Sequence, residues 1–198
     1  MKRSRSQTGA RSSAASTWRT ATTRRLARRQ ARCGLKLIVH IGDTSIQTSK
    51  SLMLHAEEIG AYAVGMIGPC HFKPESVDVL VEYCRDVAAV SPKMPFYYYH
   101  MPSINGIDFS MRTFLEKAAD AIPNLAGIKY TYEDLMDFHL CQSLDEGRFD
   151  MLFGRDELLL CGLALGAKGA VGSTYNFAAP LYTCLLYTSP SPRDRTRS

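Results

Sequence analysis

The central part of the chain alternates short apolar runs with longer stretches of helical periodicity. Apolar residues recur with that period over 44–60, 74–90, 110–121, 133–144 and 156–166. Pro74 is expected to open the second of these helices. Its buried stripe is expected to comprise Val77, Leu80, Val81, Cys84 and Ala88. The continuous apolar runs between the helices predict six strands, at 35–42, 62–68, 94–99, 125–130, 149–154 and 167–173.

The spacing of these strands favours a barrel. The strands begin near 36, 62, 94, 126, 149 and 168, so successive starts are 19 to 32 residues apart, as in βα units. Continuous apolar runs are typical of parallel strands covered on both faces. Six such units predict either a doubly wound sheet or a (β/α)₈ barrel. No glycine-rich dinucleotide fingerprint follows a strand, which disfavours the first. We therefore expect an α/β fold, an incomplete (β/α)₈ TIM barrel with about six of its eight βα units present.

Charge divides the chain into three parts. The net charge is +5, yet residues 36–183 carry 11 basic and 18 acidic side chains. Any basic surface for nucleic acid would therefore lie in the ends. Residues 1–34 are rich in Arg, Ser and Thr and lack acids, which fits a transit peptide, a nucleic-acid-binding arm or translation in a wrong frame. We favour the last, and expect 1–34 to be a non-native or disordered basic segment.

The C-terminal end has a distinctive sequence. Residues 184–194, CLLYTSPSPRD, resemble a translated sequencing adapter. We expect 184–198 to be an adapter-derived tail that packs poorly, and 35–183 to be a partial TIM barrel in a truncated chain.

The six cysteines lack the spacing of a metal site. Cys84, Cys141 and Cys161 fall in helical patterns among apolar neighbours. Reduced core thiols in a cytoplasmic protein are expected. No apolar run approaches the roughly 20 residues that a membrane span needs, so no membrane partner is predicted.

Two residues at predicted strand ends suggest chemistry, because barrel enzymes carry their active sites there. Lys129 ends the strand 125–130, and its neutral amine could condense with a ketone to form a Schiff base. The alternative is a lysine that only extends its amine to solvent. Tyr99 ends the preceding strand, and its phenol could relay a proton. Alternation predicts that Tyr97 points the same way one layer deeper, and that Tyr98 points towards the helices.

Four motifs then occur in order: YYYHMP at 97–102, GIKYTYEDL at 127–135, FGRDE at 153–157 and GAVGSTYN at 169–176. With them, residues 36–183 resemble the N-acetylneuraminate lyase family of Schiff-base aldolases, which includes dihydrodipicolinate synthase. The resemblance implies Lys129 as the imine lysine and Tyr99 as the proton relay, with no metal or cofactor beyond the covalent imine. It also implies a substrate site formed by Thr131, Gly154, Asp156, Glu157 and Ser173.

The resemblance implies cleavage of sialic acid to N-acetylmannosamine and pyruvate, by a cytoplasmic enzyme whose full-length form is a homotetramer. An aldolase for another 2-oxo acid, such as 4-hydroxy-2-oxoglutarate, is the alternative within the family. The synthase reaction is disfavoured because SINGI at 103–107 lacks the arginine that would bind a second carboxylate. A nucleic-acid-binding protein with residues 1–35 as its arm is the alternative outside the family. The family's Gly-Thr-Thr-Gly-Glu-like loop has no counterpart, so the 198-residue chain itself is expected to be inactive.

Overall fold

The computed structural model describes residues 34–188. Six strands alternate with helices along this part of the chain. The strands are β1 (Ile38–His40), β2 (Ala63–Ile67), β3 (Phe96–His100), β4 (Leu125–Tyr130), β5 (Asp150–Phe153) and β6 (Gly169–Ala170). The helices are α1 (Ile46–Glu58), α2 (Val77–Ala88), α3 (Pro102–Asn105), α4 (Met111–Ala121), α5 (Leu135–Ser143), α6 (Leu159–Ala164) and α7 (Tyr175–Thr188).

The strands form one parallel sheet in sequence order, from β1 at one edge to β6 at the other. Within residues 34–188, β1 pairs only with β2 and β6 only with β5, so this sheet does not close into a ring. The prediction of an incomplete (β/α)₈ barrel with six βα units is confirmed. The strand predicted at 167–173 is wrong in length, because only Gly169 and Ala170 pair with β5.

Polar side chains fix where the helices begin. Ser45, Ser76, Ser110 and Asp134 each accept a hydrogen bond from a first-turn amide of the helix that follows. The prediction that Pro74 opens α2 is therefore wrong, because the cap at Ser76 makes Val77 the first helical residue.

The buried stripe of α2 also differs from the prediction at two positions, Val77 and Val87. Leu80, Val81, Cys84 and Ala88 are buried as expected, and Val87 is buried with them. Val77 is only partly buried against the core, because it lies in the exposed first turn.

The core lies between the sheet and the helices. Tyr98 is fully buried there, with its ring centroid 4.8 Å from that of Phe114 of α4. Cys84 and Cys141 are buried free thiols, whereas Cys161 is exposed because it faces away from the sheet on α6. The expectation of core thiols is therefore wrong for Cys161, and also for the exposed Cys70 and Cys184.

A buried carboxylate joins two helices. Asp137 of α5 accepts hydrogen bonds from the Ser110 hydroxyl at 2.7 Å and from the amides of Met111 at 2.9 Å and Arg112 at 3.3 Å. The Tyr130 hydroxyl donates to it from β4 at 3.3 Å. Asp137 thus satisfies the otherwise unpaired amides at the start of α4 and holds α4, α5 and β4 together.

Two helices were not predicted. Pro102 supplies the first position of the short α3, and α7 bends at Ala178, two residues before Pro180. Helix α7 runs past residue 184, where Leu185 packs against the core while Cys184, Leu186 and Tyr187 are exposed. No helix within residues 34–188 is long and apolar enough to cross a membrane. The basic segment and the remainder of the tail lie outside the described residues, and the three-part division of the chain stays a prediction.

Burial of His100 predicts a loss of stability in mild acid. The ring is 1% exposed and packs against Tyr98, Tyr130 and Tyr132, and burial lowers its pKa to about 4 despite three nearby aspartates. Since the unfolded chain gains a proton near pH 6.5 and the folded chain only near pH 4, the free energy of unfolding falls as pH drops through this window. The expected loss is up to about 3 kcal/mol.

Urea unfolding of the wild type, His100→Phe and His139→Gln at about pH 7 and about pH 5 measures this effect. In His100→Phe, most of the difference in the free energy of unfolding between the two pH values should disappear. His139 is exposed, so His139→Gln is the control and should keep that difference. An unchanged difference in His100→Phe would contradict the assignment.

Candidate active site

Pairing of β3 with β4 sets Lys129 beside Tyr99, because these two residues are opposite each other in the parallel register. Lys129 Nζ lies 4.0 Å from the centroid of the Tyr99 ring, within the range of a cation–π interaction. The two residues predicted to carry the chemistry are therefore in contact, near the carboxyl ends of adjacent strands.

The Tyr99 hydroxyl has a hydrogen-bond partner of its own. It donates a hydrogen bond to Met101 Sδ at 3.0 Å, and the ring packs edge-on against His40 with 6.1 Å between centroids. Strand β3 ends at His100 and α3 begins at Pro102, so Met101 lies in the turn between them. Its sulfur is therefore close to the end of β3. The amine thus faces the aromatic ring, and the phenol is held by the thioether.

A cavity of about 330 Å³ opens on the inner face of the sheet. Tyr97 lines it one layer below Tyr99, where its hydroxyl donates to Asp150 Oδ2 at 2.9 Å. Tyr98 points the other way into the helical layer, as alternation predicted. The cavity is lined by Lys36, Ile38, His40, Gly65, Tyr97, Tyr99, Lys129, Leu152 and Val171.

Thr131 and Gly154 lie side by side at the ends of β4 and β5. The Thr131 amide donates to the His100 carbonyl at 2.8 Å, and the Gly154 amide donates to the Tyr130 carbonyl at 2.7 Å. The Thr131 hydroxyl is buried and has no partner among the described residues. A Cβ at Gly154 would overlap this hydroxyl, so the absence of a side chain there lets the two strand ends meet.

Asp156 is held by the loop after β6. Its Oδ2 accepts hydrogen bonds from the Thr174 hydroxyl at 2.6 Å and from the Thr174 amide at 2.9 Å. Burial tends to raise the pKa of the Asp156 carboxyl. The bonds from Thr174, with smaller contributions from Tyr175 and the positive charge of Lys129, outweigh burial and hold the pKa below its usual value. Asp156 therefore carries a stabilised negative charge that is electrostatically coupled to the lysine.

Glu157 and Ser173 extend into solvent at the same rim. The side chain of Glu157 is 74% exposed and lies 4.0 Å from Arg155, which forms a closer ion pair with Glu133 at 2.6 Å. Ser173 is exposed, and its carbonyl accepts from the side chain of Asn176 at 3.0 Å. Of the predicted site residues, these two are the ones that the structure leaves exposed. Within residues 34–188, no three His, Cys, Asp or Glu side chains are grouped to hold a metal ion.

The prediction missed Met101, Thr174 and Tyr182. Thr174 follows Ser173 directly in the GSTYN motif, so a threonine at the end of the last strand was the available signal. Met101 and Tyr182 gave none, because their hydrogen bonds depend on the turn before α3 and on the position of α7.

The open parallel βα sheet places the protein in the class of (β/α)₈ barrels, and the amine and the phenol lie at the face where barrel enzymes carry their active sites. The chain belongs to the dihydrodipicolinate synthetase family, whose model matches residues 8–189. This match begins inside the basic segment and ends inside the predicted tail.

The relatives that the chain is similar to include sialic acid lyases. It is 47% identical to the N-acetylneuraminate lyase of Xenopus tropicalis over 141 residues, which is 71% of this chain and 46% of the relative. It resembles the solved lyase of Proteus mirabilis with 44% identity and a TM-score of 0.79, covering 85% of this chain and 58% of the other. It also resembles the solved N-acetylneuraminate lyase of Aliivibrio salmonicida, with 43% identity and a TM-score of 0.82, covering 86% of this chain and 56% of the other. The chain spans about half the length of the curated relatives it matches.

The close approach of Gly154 to Thr131 predicts that Gly154→Ala destabilises the protein. The new methyl group would overlap the buried Thr131 hydroxyl, and the overpacking should lower the free energy of unfolding by about 1–3 kcal/mol. Gly65→Ala is the matched control, because a Cβ there would make only ordinary contact, at 3.8 Å, with Ile38. Urea unfolding compares the two, and equal stability of both variants would contradict the packing described here.

Proposed function

We propose that the whole protein is an N-acetylneuraminate lyase that cleaves sialic acid to N-acetylmannosamine and pyruvate through an imine on Lys129. The contact between Lys129 and Tyr99, 4.0 Å from amine to ring centroid, carries this proposal. The N-acetylneuraminate lyases among the relatives support the choice of substrate.

The reaction follows from the chemistry of a lysine imine. The neutral Lys129 amine adds to the substrate ketone, and water leaves as the Tyr99 phenol supplies a proton, which gives a protonated imine and a phenolate. A base removes the proton from the hydroxyl on the β-carbon, the bond between the α- and β-carbons breaks, and the imine nitrogen accepts the electron pair as an enamine. The enamine carbon is then protonated, and water releases pyruvate and regenerates the amine.

Tyr99 is the proposed base for the hydroxyl proton. Its ring already borders the amine, and its hydroxyl is held by a thioether, a weak acceptor. A substrate hydroxyl can therefore replace Met101 as the partner of the phenol at little cost. The cationic imine beside the ring would stabilise a phenolate during the transfer.

The rest of the substrate would lie along the ends of β4, β5 and β6. The unpaired hydroxyl of Thr131 and the carboxylates of Asp156 and Glu157 can bond a polyol, with the small Gly154 and the exposed Ser173 leaving room beside them. Arg155 is already paired with Glu133, so this rim suits hydroxyl groups better than a second carboxylate. This observation favours sialic acid over 4-hydroxy-2-oxoglutarate.

The imine supplies the electron sink, so the proposed reaction needs no metal or organic cofactor. Free thiols at the described cysteines fit a reducing compartment, and we place the enzyme in the cytoplasm as part of the proposal. The proposal includes the homotetramer that the family resemblance implies, with small molecules rather than nucleic acid or membrane as partners.

Borohydride reduction with pyruvate tests the imine. Residues 35–183 would be joined to the parts of the Proteus mirabilis lyase that the match leaves uncovered, and labelled peptides identified by mass spectrometry. A three-carbon adduct is expected at Lys129, because its amine faces the cavity beside the Tyr99 ring at the carboxyl end of a strand.

Lys117, which is exposed and ion-paired with Asp78, is the internal control and should stay unlabelled. Lys129→Met should abolish the adduct and Lys117→Met should preserve it. Equal labelling of both lysines, or none at Lys129, would contradict the proposed function.

Substrate choice is tested by turnover of the same joined chain. Sialic acid is expected to be cleaved at least about tenfold more efficiently than 4-hydroxy-2-oxoglutarate, because the rim offers carboxylates and no unpaired arginine among the described residues. The ratio of kcat/KM for the two substrates is the measurement, and a ratio below one would favour the alternative aldolase.

A further inference from the structure

The two oxygens of the Asp156 carboxylate have different surroundings. Oδ2 accepts two hydrogen bonds from Thr174, whereas Oδ1 is buried and has no hydrogen-bond partner among the described residues. A buried carboxylate oxygen without a donor is unfavourable. A ligand that donates a hydrogen bond to Oδ1 would relieve this cost.

The Tyr175 hydroxyl is the complementary unpaired group. It too is buried without a hydrogen-bond partner among residues 34–188. Burial raises the pKa of this phenol, and the charge of the Asp156 carboxylate raises the pKa further, so the two groups are near each other. One hydroxyl group between them could donate to the carboxylate and accept from the phenol.

Thr174 sets which oxygen stays unpaired. Its hydroxyl lies 2.6 Å from Asp156 Oδ2 and 2.6 Å from the Tyr182 hydroxyl. Because Thr174 has one hydroxyl proton and donates it to the carboxylate, Tyr182 must donate to Thr174. The chain of bonds therefore runs in one direction, from Tyr182 through Thr174 to Asp156.

The backbone completes the arrangement. A Cβ at Gly172 would overlap both oxygens of Asp156, so the carboxylate lies directly against the chain after β6. Asp156 follows β5, Thr174 follows β6 and Tyr182 belongs to α7, so three elements fix one carboxylate.

We propose that Thr174, supported by Tyr182, is a positioning residue that holds Asp156 so that Oδ1 and the Tyr175 hydroxyl bind one hydroxyl group of a sugar substrate. This inference rests on the proposed function and adds the residues that orient the polyol half of the substrate.

The test uses the 198-residue chain and NMR of carboxyl-labelled aspartate, with the Asp156 resonance assigned by Asp156→Asn. One measurement is the pH titration of that resonance. The other is its change as N-acetylmannosamine, the polyol half of the proposed substrate, is added. The variants are Thr174→Val, which removes the hydroxyl and keeps the shape, Thr174→Ser, which keeps the hydroxyl, and Tyr182→Phe.

Thr174→Val is expected to raise the pKa of Asp156 towards its ordinary value, because the carboxylate loses its hydroxyl donor. It should also weaken N-acetylmannosamine binding about tenfold. Thr174→Ser should match the wild type in both measurements, and Tyr182→Phe should show a smaller change in the same direction as Thr174→Val.

Three outcomes would overturn the inference: wild-type titration in Thr174→Val, equal damage from Thr174→Ser, or no N-acetylmannosamine binding by the wild type. Pyruvate–borohydride labelling of Lys129, carried out on the joined chain described above, separates this inference from the proposed function. Normal labelling with an unaffected Thr174→Val variant would refute the positioning role alone. Absent labelling with a shifted Asp156 titration would refute the imine chemistry alone.

Discussion

The register between β3 and β4 is the constraint on which the candidate site depends. Tyr99 and Lys129 share the cavity face because they are opposite each other in a parallel pair, and a slip of one residue would put one of them on the helical face. The register is held from that helical face. Tyr98, Ile128 and Tyr130 are fully buried there, so the packing of the core determines the geometry of the site.

Polar groups buried beneath the site also hold the strand ends in place. The Asp137 carboxylate accepts hydrogen bonds from the Met111 amide at the start of α4 and from the Tyr130 hydroxyl. A carboxylate outside the cavity therefore anchors β4, the strand that carries Lys129. The ring of His100 packs against the ring of Tyr130 in the same layer. His100 is also the residue after Tyr99 in β3. The helical layer therefore serves both as hydrophobic core and as the rigid support of the cavity.

The features that depend on alternation were predictable from the sequence. Successive side chains of a strand must face opposite sides, so Tyr97 and Tyr99 had to share one face and Tyr98 the other. Features that depend on distant packing were not. The bond from Tyr99 to Met101 needs the turn before α3, and α7 forms in spite of Pro180, a residue that normally ends a helix. The same limit applies to Cys161, whose apolar neighbours gave no sign that it faces outward.

The Lys129–Tyr99 pair and the hydrogen bonds of the Asp156 carboxylate belong to different strands. Lys129 and Tyr99 belong to β4 and β3, whereas Asp156 and Thr174 follow β5 and β6. Under the proposed function, substitutions in the loops after β5 and β6 would alter which molecule is accepted while the proposed imine-forming pair stays intact. Such a division lets new specificities diverge from one ancestral barrel through small changes, without an inactive intermediate in which the carbon–carbon chemistry has been lost.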